Sequence, residues 1–193
     1  DDPATVRRFT EKTERSITRM QQLILSLLKV LRLEAGSVVF AAQPCGAAEL
    51  ARRAAQELLT RAGAEGKQLC FCGGAAVLRC DPQWTAEALG NLIKNALDHT
   101  PPGGRVCVYW QSTPVMERLC VWDDGEGIAP EEIHFIYKRF YRSPHSADTQ
   151  GAVLGLPMAK AIVERQGGVL GVESSPGAGT TFSMAFPREL TKL

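Results

Sequence analysis

The chain is predicted to be an α+β sandwich, a mixed sheet with helices on one face, preceded by a long bundle-forming helix. Three observations carry this. Apolar or small side chains recur at alternating spacings of three and four over the N-terminal stretch; the remainder alternates short apolar strands with helical stripes; and clusters of Gly and Pro separate these segments. With 193 residues, 45 % of them hydrophobic and 22 % charged, the chain can bury one good core and an extra element. Lys and Arg number 22 against 21 Asp and Glu, a net charge of +1, which gives no overall field to attract nucleic acid, and none is expected as a partner. No run approaches the roughly 18 apolar residues of a membrane span, and no signal-peptide pattern heads the sequence. The chain starts at Asp1 without an initiator Met and enters a helical pattern almost at once, which predicts a fragment of a longer protein.

The first helix is expected over residues 5–34, with Phe9, Thr13, Ile17, Met20, Ile24, Leu27 and Leu31 as its seam. Asp2 before Pro3 is a plausible cap, and Gly36 a natural stop. About thirty residues at 1.5 Å each span about 45 Å, too long for an ordinary globular helix and suited to a bundle. The chain therefore divides near Gly36, into residues 1–36 and 37–193. A strand is expected over 37–42, a helix over 47–62, and a hairpin of 69–72 with 76–79 around Gly73-Gly74. Asp81-Pro82 opens another helix, with Trp84, Ala88, Leu89, Leu92, Ile93 and Ala96 on its apolar face, ending before Pro101-Pro102. Strands over 105–111 and 117–122 follow, then an irregular stretch over 129–153 and a helix over 154–166 stopped by Gly167-Gly168. Two last strands, 169–174 and 180–186, flank Pro176-Gly177-Ala178-Gly179. The six cysteines form no C-x-x-C pair and are not spaced with the three His for zinc, so they read as small buried or half-buried thiols.

Asn91-Leu92-Ile93-Lys94-Asn95-Ala96 places two carboxamides four apart on one helix face, each able to offer an oxygen to a hard cation or an N–H to a phosphate. About thirty residues on, Asp123-Asp124-Gly125-Glu126-Gly127-Ile128 ends an apolar strand in a carboxylate and a glycine turn. Such a carboxylate can accept an exocyclic amine while Gly125 and Gly127 let the backbone approach a base. Gly151, Leu154, Gly155 and Leu156 open a helix whose free N–H groups suit phosphate. Between these, Phe140, Tyr141 and Arg142 could pin a lid and reach a phosphate. Alone, each has a plain alternative: an exposed polar pair, a turn, a helix start, a surface anchor. Their order, closed by Gly177-Ala178-Gly179-Thr180-Thr181-Phe182, is what points to a magnesium-nucleotide pocket.

On these motifs residues 37–187, about four fifths of the chain, resemble the catalytic ATP-binding domain of bacterial sensor histidine kinases, of the superfamily shared with gyrase and mismatch-repair ATPases. The N box corresponds to Asn91 through Ala96, the first glycine box to Asp123 through Ile128, the F box to Ile136 through Arg142, and the second glycine box to Gly151 through Leu156. Arg32-Leu33-Glu34-Ala35-Gly36 resembles the end of the second helix of the dimerisation and phosphoacceptor domain, which makes the seam half of a four-helix bundle. The resemblance implies a Bergerat-type sandwich with ATP under a flexible lid. It also implies that Asn95 ligates Mg2+, Asn91 contacts phosphates, Asp123 selects adenine, Tyr141 and Arg142 touch the nucleotide, and Thr180 assists near the base. His99 is a stacking or hydrogen-bonding candidate.

Three departures stand out in that comparison. Asp98 replaces a basic residue of the family, a charge that weakens triphosphate binding unless a metal or neighbour compensates, His99 replaces the aromatic residue after it, and Val153 replaces a glycine of the second box. The implied activity is γ-phosphoryl transfer from ATP to a His on the bundle helix, for relay to the receiver domain of a response regulator. The parent is expected to be a homodimer through the bundle, with this chain the cytoplasmic portion of a membrane-anchored sensor. His99, His134 and His145 all fall in the ATP-binding part, so the fragment is expected to bind ATP without phosphorylating itself. The competing readings are a degenerate nucleotide-binding regulatory module and a related ATPase or serine kinase.

Overall fold

The N-terminal seam folds as one helix, α1 (Pro3–Glu34), in the computed structural model, which describes residues 3–142 and 154–188. Phe9, Ile17, Met20, Ile24 and Leu31 of that seam are exposed, whereas Val30 and Leu33, off the seam, are buried where α1 meets the rest of the chain. Among the described residues no helix is long and apolar enough to cross a membrane.

Residues 37–42, expected as a strand, pair with nothing as a strand; pairing starts at β1 (Gln43–Gly46). The physical reason lies in what the segment packs against. The Ala41 N–H donates to Asp81 Oδ2 at 2.9 Å, and Phe40 meets Trp84 edge-on, so the segment serves as a strap across the start of a helix. The helix expected over 47–62 is two, α2 (Ala47–Ala55) and α3 (Leu58–Ala64), separated by Gln56 and Glu57, which keep right-handed helical dihedrals.

The expected hairpin of 69–72 with 76–79 does not form. β2 (Gln68–Gly73) runs parallel to β4 (Arg105–Ser112), while β3 (Val77–Cys80) pairs antiparallel with β1 in a separate two-stranded sheet. Gly73-Gly74 is a crossover between sheets: the Trp110 indole occupies the space a side chain at Gly73 would need, and its Nε1 donates to the Gly74 carbonyl at 2.6 Å. Glycine here answers a close approach, which sequence patterning reads as a turn.

α4 (Pro82–His99) starts as expected, with Asp81 accepting from the N–H groups of Gln83 and Trp84 at 3.0 and 3.1 Å and Pro82 in the first turn. β5 (Met116–Asp123), α5 (Gly155–Arg165), β6 (Val169–Ser175) and β7 (Gly179–Pro187) complete the described elements. The main sheet has the order β2-β4-β5-β7-β6, parallel at β2/β4 and antiparallel elsewhere. Its inner face carries Val106, Val108, Leu119, Val121, Phe182 and Met184, in one core with Leu89, Leu92 and Ile93 of α4 and Ile162 and Val163 of α5. This is the expected mixed sheet covered on one face by helices. Gln166 ties the helix layer together, its Oε1 accepting from the Asp81 N–H at 2.6 Å.

Candidate functional site

Asp123 is the last residue of β5, where alternation turns its side chain to the inner face behind Val121 and Leu119. It is 2 % exposed. Burial pushes its carboxyl up to about 6, opposed by the backbone N–H groups of Gly125 and Thr180 and by nearby His99. Oδ1 accepts from the Gly125 N–H at 3.0 Å. A side chain on Gly125 would overlap the His99 carbonyl, so glycine lets the turn after β5 close onto the end of α4. Gly127 and Gly179 both have positive φ, and a β-carbon on either would overlap backbone of the facing turn. Behind them Ser174 Oγ accepts from the Ile128 N–H at 2.8 Å and lies 2.9 Å from Thr180 Oγ1. Thr180 is the register partner of Asp123 and is buried. Asp123, Gly125, Gly127, Ile128 and Thr180 are thus one assembly of strand ends.

α4 links this assembly to the start of α5. Asn91, Asn95 and His99 lie at intervals of four, drifting slowly around one face over about 12 Å of helix. At the far end, the Asn91 amide lies 3.6 Å from Met158 Sδ, and a β-carbon on Gly155 would sit 3.3 Å from Asn91 Oδ1. Leu154, buried, precedes the first helical residue of α5, and Leu156 packs against the core. At the near end His99 Nδ1 is 2.8 Å from Glu126 Oε1. The half-buried Asn95 lies between, its carboxamide making no hydrogen bond with the described residues. Acidic and donor groups capable of selecting an amine therefore sit at one end, and a helix N-terminus suited to phosphate at the other.

The charge at Asp98 is compensated. Arg61 Nη2 meets Asp98 Oδ1 at 2.5 Å and its Nε meets Glu65 at 2.6 Å, while Lys67 bonds Glu65 at 2.6 Å and the Leu97 carbonyl at 2.7 Å. Four charged side chains of alternating sign fasten α3 to the last turn of α4.

Not every expected residue is brought to this site. Tyr141 stacks on Phe135 with ring centroids 5.8 Å apart and donates to Glu132 at 3.1 Å, and Arg142 is exposed. Gly151 and Val153 lie outside the described residues. Sequence reasoning missed Ser174, Glu126 and Met158. Only Ser174 had a readable signal, since pairing 169–174 with 180–186 about the Gly177 turn sets it opposite Thr180.

Among the described residues no cluster of three or more His, Cys, Asp or Glu could hold a metal ion. A hard cation here would take the Asn95 carboxamide oxygen, with its remaining ligands from nucleotide oxygens and water, a donor set that suits Mg2+.

Residues 80–190 match the family described as histidine kinase-, DNA gyrase B- and HSP90-like ATPases. The sensor protein kinase PmrB of Pseudomonas aeruginosa is 31 % identical over 189 residues, 97 % of this chain and 40 % of that protein. The signal transduction histidine-protein kinase/phosphatase MprB of a Mycobacterium species (strain KMS) is 36 % identical over 181 residues, 91 % of this chain and 34 % of its own length. The chain thus spans well under half of these curated relatives. Among solved structures, full-length ShkA in complex with AMPPNP superposes with a TM-score of 0.81 at 24 % identity, over 94 % of this chain and 38 % of that one, a likeness of fold.

Proposed function

Given that the chain belongs to the histidine kinase-, DNA gyrase B- and HSP90-like ATPase family, we propose that it is the ATP-binding catalytic part of a two-component sensor histidine kinase. The observation that carries this reading is the α4 stripe, whose His99 end meets the Asp123 turn and whose Asn91 end, about 12 Å along the helix, meets the start of α5. Asp123 accepts the adenine amine, with Thr180 and Ser174 fixing its surroundings. Gly125 and Gly127 let backbone approach the base, and His99 with Glu126 forms the rim. Asn91 and the first N–H groups of α5 receive phosphate oxygens, and Asn95 supplies the protein ligand for Mg2+. Bound with the nucleotide, the cation offsets charge on the triphosphate oxygens.

An amide at Asn91 cannot act as a base on water, so hydrolysis by this chain is slow. The γ-phosphoryl group goes to a His on the bundle helix of the whole protein, then to the receiver domain of a response regulator. The exposed seam of α1 supports homodimerisation of the whole protein, and the chain is the cytoplasmic portion of a membrane-anchored sensor. Tyr141 and Arg142 belong to the lid over the nucleotide. With no His among residues 1–36, the chain binds ATP without phosphorylating itself.

Calorimetric titration with ATP tests this. Binding is expected with Mg2+ and is lost, or weakened at least about tenfold, in Asn95→Ala; equal binding by Asn95→Ala, or none by the unaltered chain, overturns the assignment.

A further inference from the structure

Three of the six cysteines converge on the face of the main sheet turned away from α4 and α5. Cys70 and Cys107 are register partners on β2 and β4, and Cys72 is two residues further along β2 on the same face. The Cys72 and Cys107 sulfurs are 3.8 Å apart though 35 residues separate them in sequence. Cys72 is exposed, Cys107 half-buried, and Cys70 half-buried with its thiol directed at the Val106 carbonyl, 3.4 Å away. Nothing in nucleotide binding uses these groups, which lie on the opposite side of the sheet from α4 and α5.

We propose that Cys72 and Cys107 form a peroxide-reactive dithiol site that closes into an intramolecular disulfide. Cys72 reaches solvent and reacts first: its thiolate attacks one oxygen of the peroxide, the O–O bond breaks, and the sulfur becomes a sulfenic acid as hydroxide leaves and takes up a proton. The Cys107 sulfur then attacks the Cys72 sulfur, forming S–S and breaking S–O, and the departing hydroxide takes the Cys107 proton to leave as water. Two thiols are oxidised and one peroxide is reduced to water. Burial and the neighbouring thiols push Cys107 up to about 12, which holds it as a thiol and keeps it from reacting with peroxide directly; it gives up its proton to the hydroxide displaced from Cys72 as the disulfide forms.

Closing the bond requires the sulfurs to move from 3.8 Å to about 2.0 Å. Side-chain rotation and a small shift of β2 provide this. β2 is an edge strand, paired among the described strands with β4 alone. The second close thiol pair is placed differently. Cys45 donates to the Cys80 carbonyl at 3.6 Å, but Cys80 is 0 % exposed and shielded from a dissolved oxidant.

Treating the whole chain with a modest excess of hydrogen peroxide tests the site. The expected product has lost the mass of two hydrogens and two titratable thiols, yields a Cys72–Cys107 cross-linked peptide on non-reducing digestion, and reverts with dithiothreitol. Cys72→Ser and Cys107→Ser each abolish the cross-link, and Cys70→Ser retains it, with circular dichroism of each variant confirming a native fold; should one serine variant unfold, the corresponding Cys→Ala replaces it. A cross-link mapped to Cys70–Cys107 or Cys45–Cys80, one between two chains only, or oxygen addition with no disulfide overturns the proposal.

Discussion

Asp123 is a carboxylate placed where the folded chain resists its ionisation. Its pKa of about 6, above the ordinary value of 3.8, means that the folded state holds this proton more tightly than the unfolded state does. Stability from this group therefore falls as pH rises between those two values, and the full cost is present above about 6. Asp123→Asn is expected to raise resistance to urea by about 1–3 kcal/mol at pH 8 and by much less at pH 4.5, while ATP binding at pH 8 is lost. Equal stability of the two proteins at both pH values would refute the burial argument. At the same scale, a β-carbon on Gly125 would push the His99 carbonyl away from the Asp123 turn. Gly125→Ala should lower both melting temperature and ATP affinity, and an unchanged melting curve would show that the turn has room. The residues at the strand end were legible because carboxylate, glycines and threonine stand in a fixed order. Ser174, Glu126 and Met158 were not, since their roles arise from register and helix packing that one local pattern does not encode.

Between elements, the ion-pair group of Arg61, Glu65, Lys67 and Asp98 joins α3 to the turn of α4 that carries Asn95 and His99. Removing Arg61 leaves the largely covered Asp98 carboxylate unpaired. Arg61→Ala should cost about 1–2 kcal/mol in urea denaturation and weaken ATP binding, and the double variant with Asp98→Asn should recover part of both. Failure of the second change to recover anything would mean that the pair does not couple these helices. Alternation and capping made most helices and antiparallel strands readable, Asp81-Pro82 and Gly167-Gly168 among them. The error at Gly73-Gly74 has a definite cause: glycine marks both tight turns and close approaches, and the indole of Trp110 that settles the matter is distant in sequence. The segment 37–42 misled similarly, because an apolar strap and an apolar strand share one pattern until the Asp81 carboxylate takes the Ala41 N–H.

On the scale of the molecule, one face of α1 is anchored and another is bare. Val30 and Leu33 are buried, Arg139 pairs with the Glu34 carboxylate, and Arg165 donates to the Glu34 carbonyl, so the end of α1 is fastened to both α5 and the segment before Tyr141. Phe9, Ile17, Met20 and Ile24 remain exposed along the same helix. This apolar stripe should drive self-association, seen as a concentration-dependent mass in sedimentation equilibrium. Ile17→Lys with Met20→Lys should give a monomer that binds ATP unchanged. A chain that is already monomeric at high concentration would contradict a bundle role for the seam. In the proposed complex one nucleotide lies along α4 with its phosphates toward α5 and its base at Asp123. Nuclear magnetic resonance with Mn2+ and ATP measures this most directly, since the paramagnetic ion broadens signals near the phosphates. Strongest broadening is expected at Asn95, Asn91 and Gly155, weaker broadening near Asp123 and Thr180, and none at Cys72. Broadening centred away from α4, or none in the presence of ATP, would contradict it.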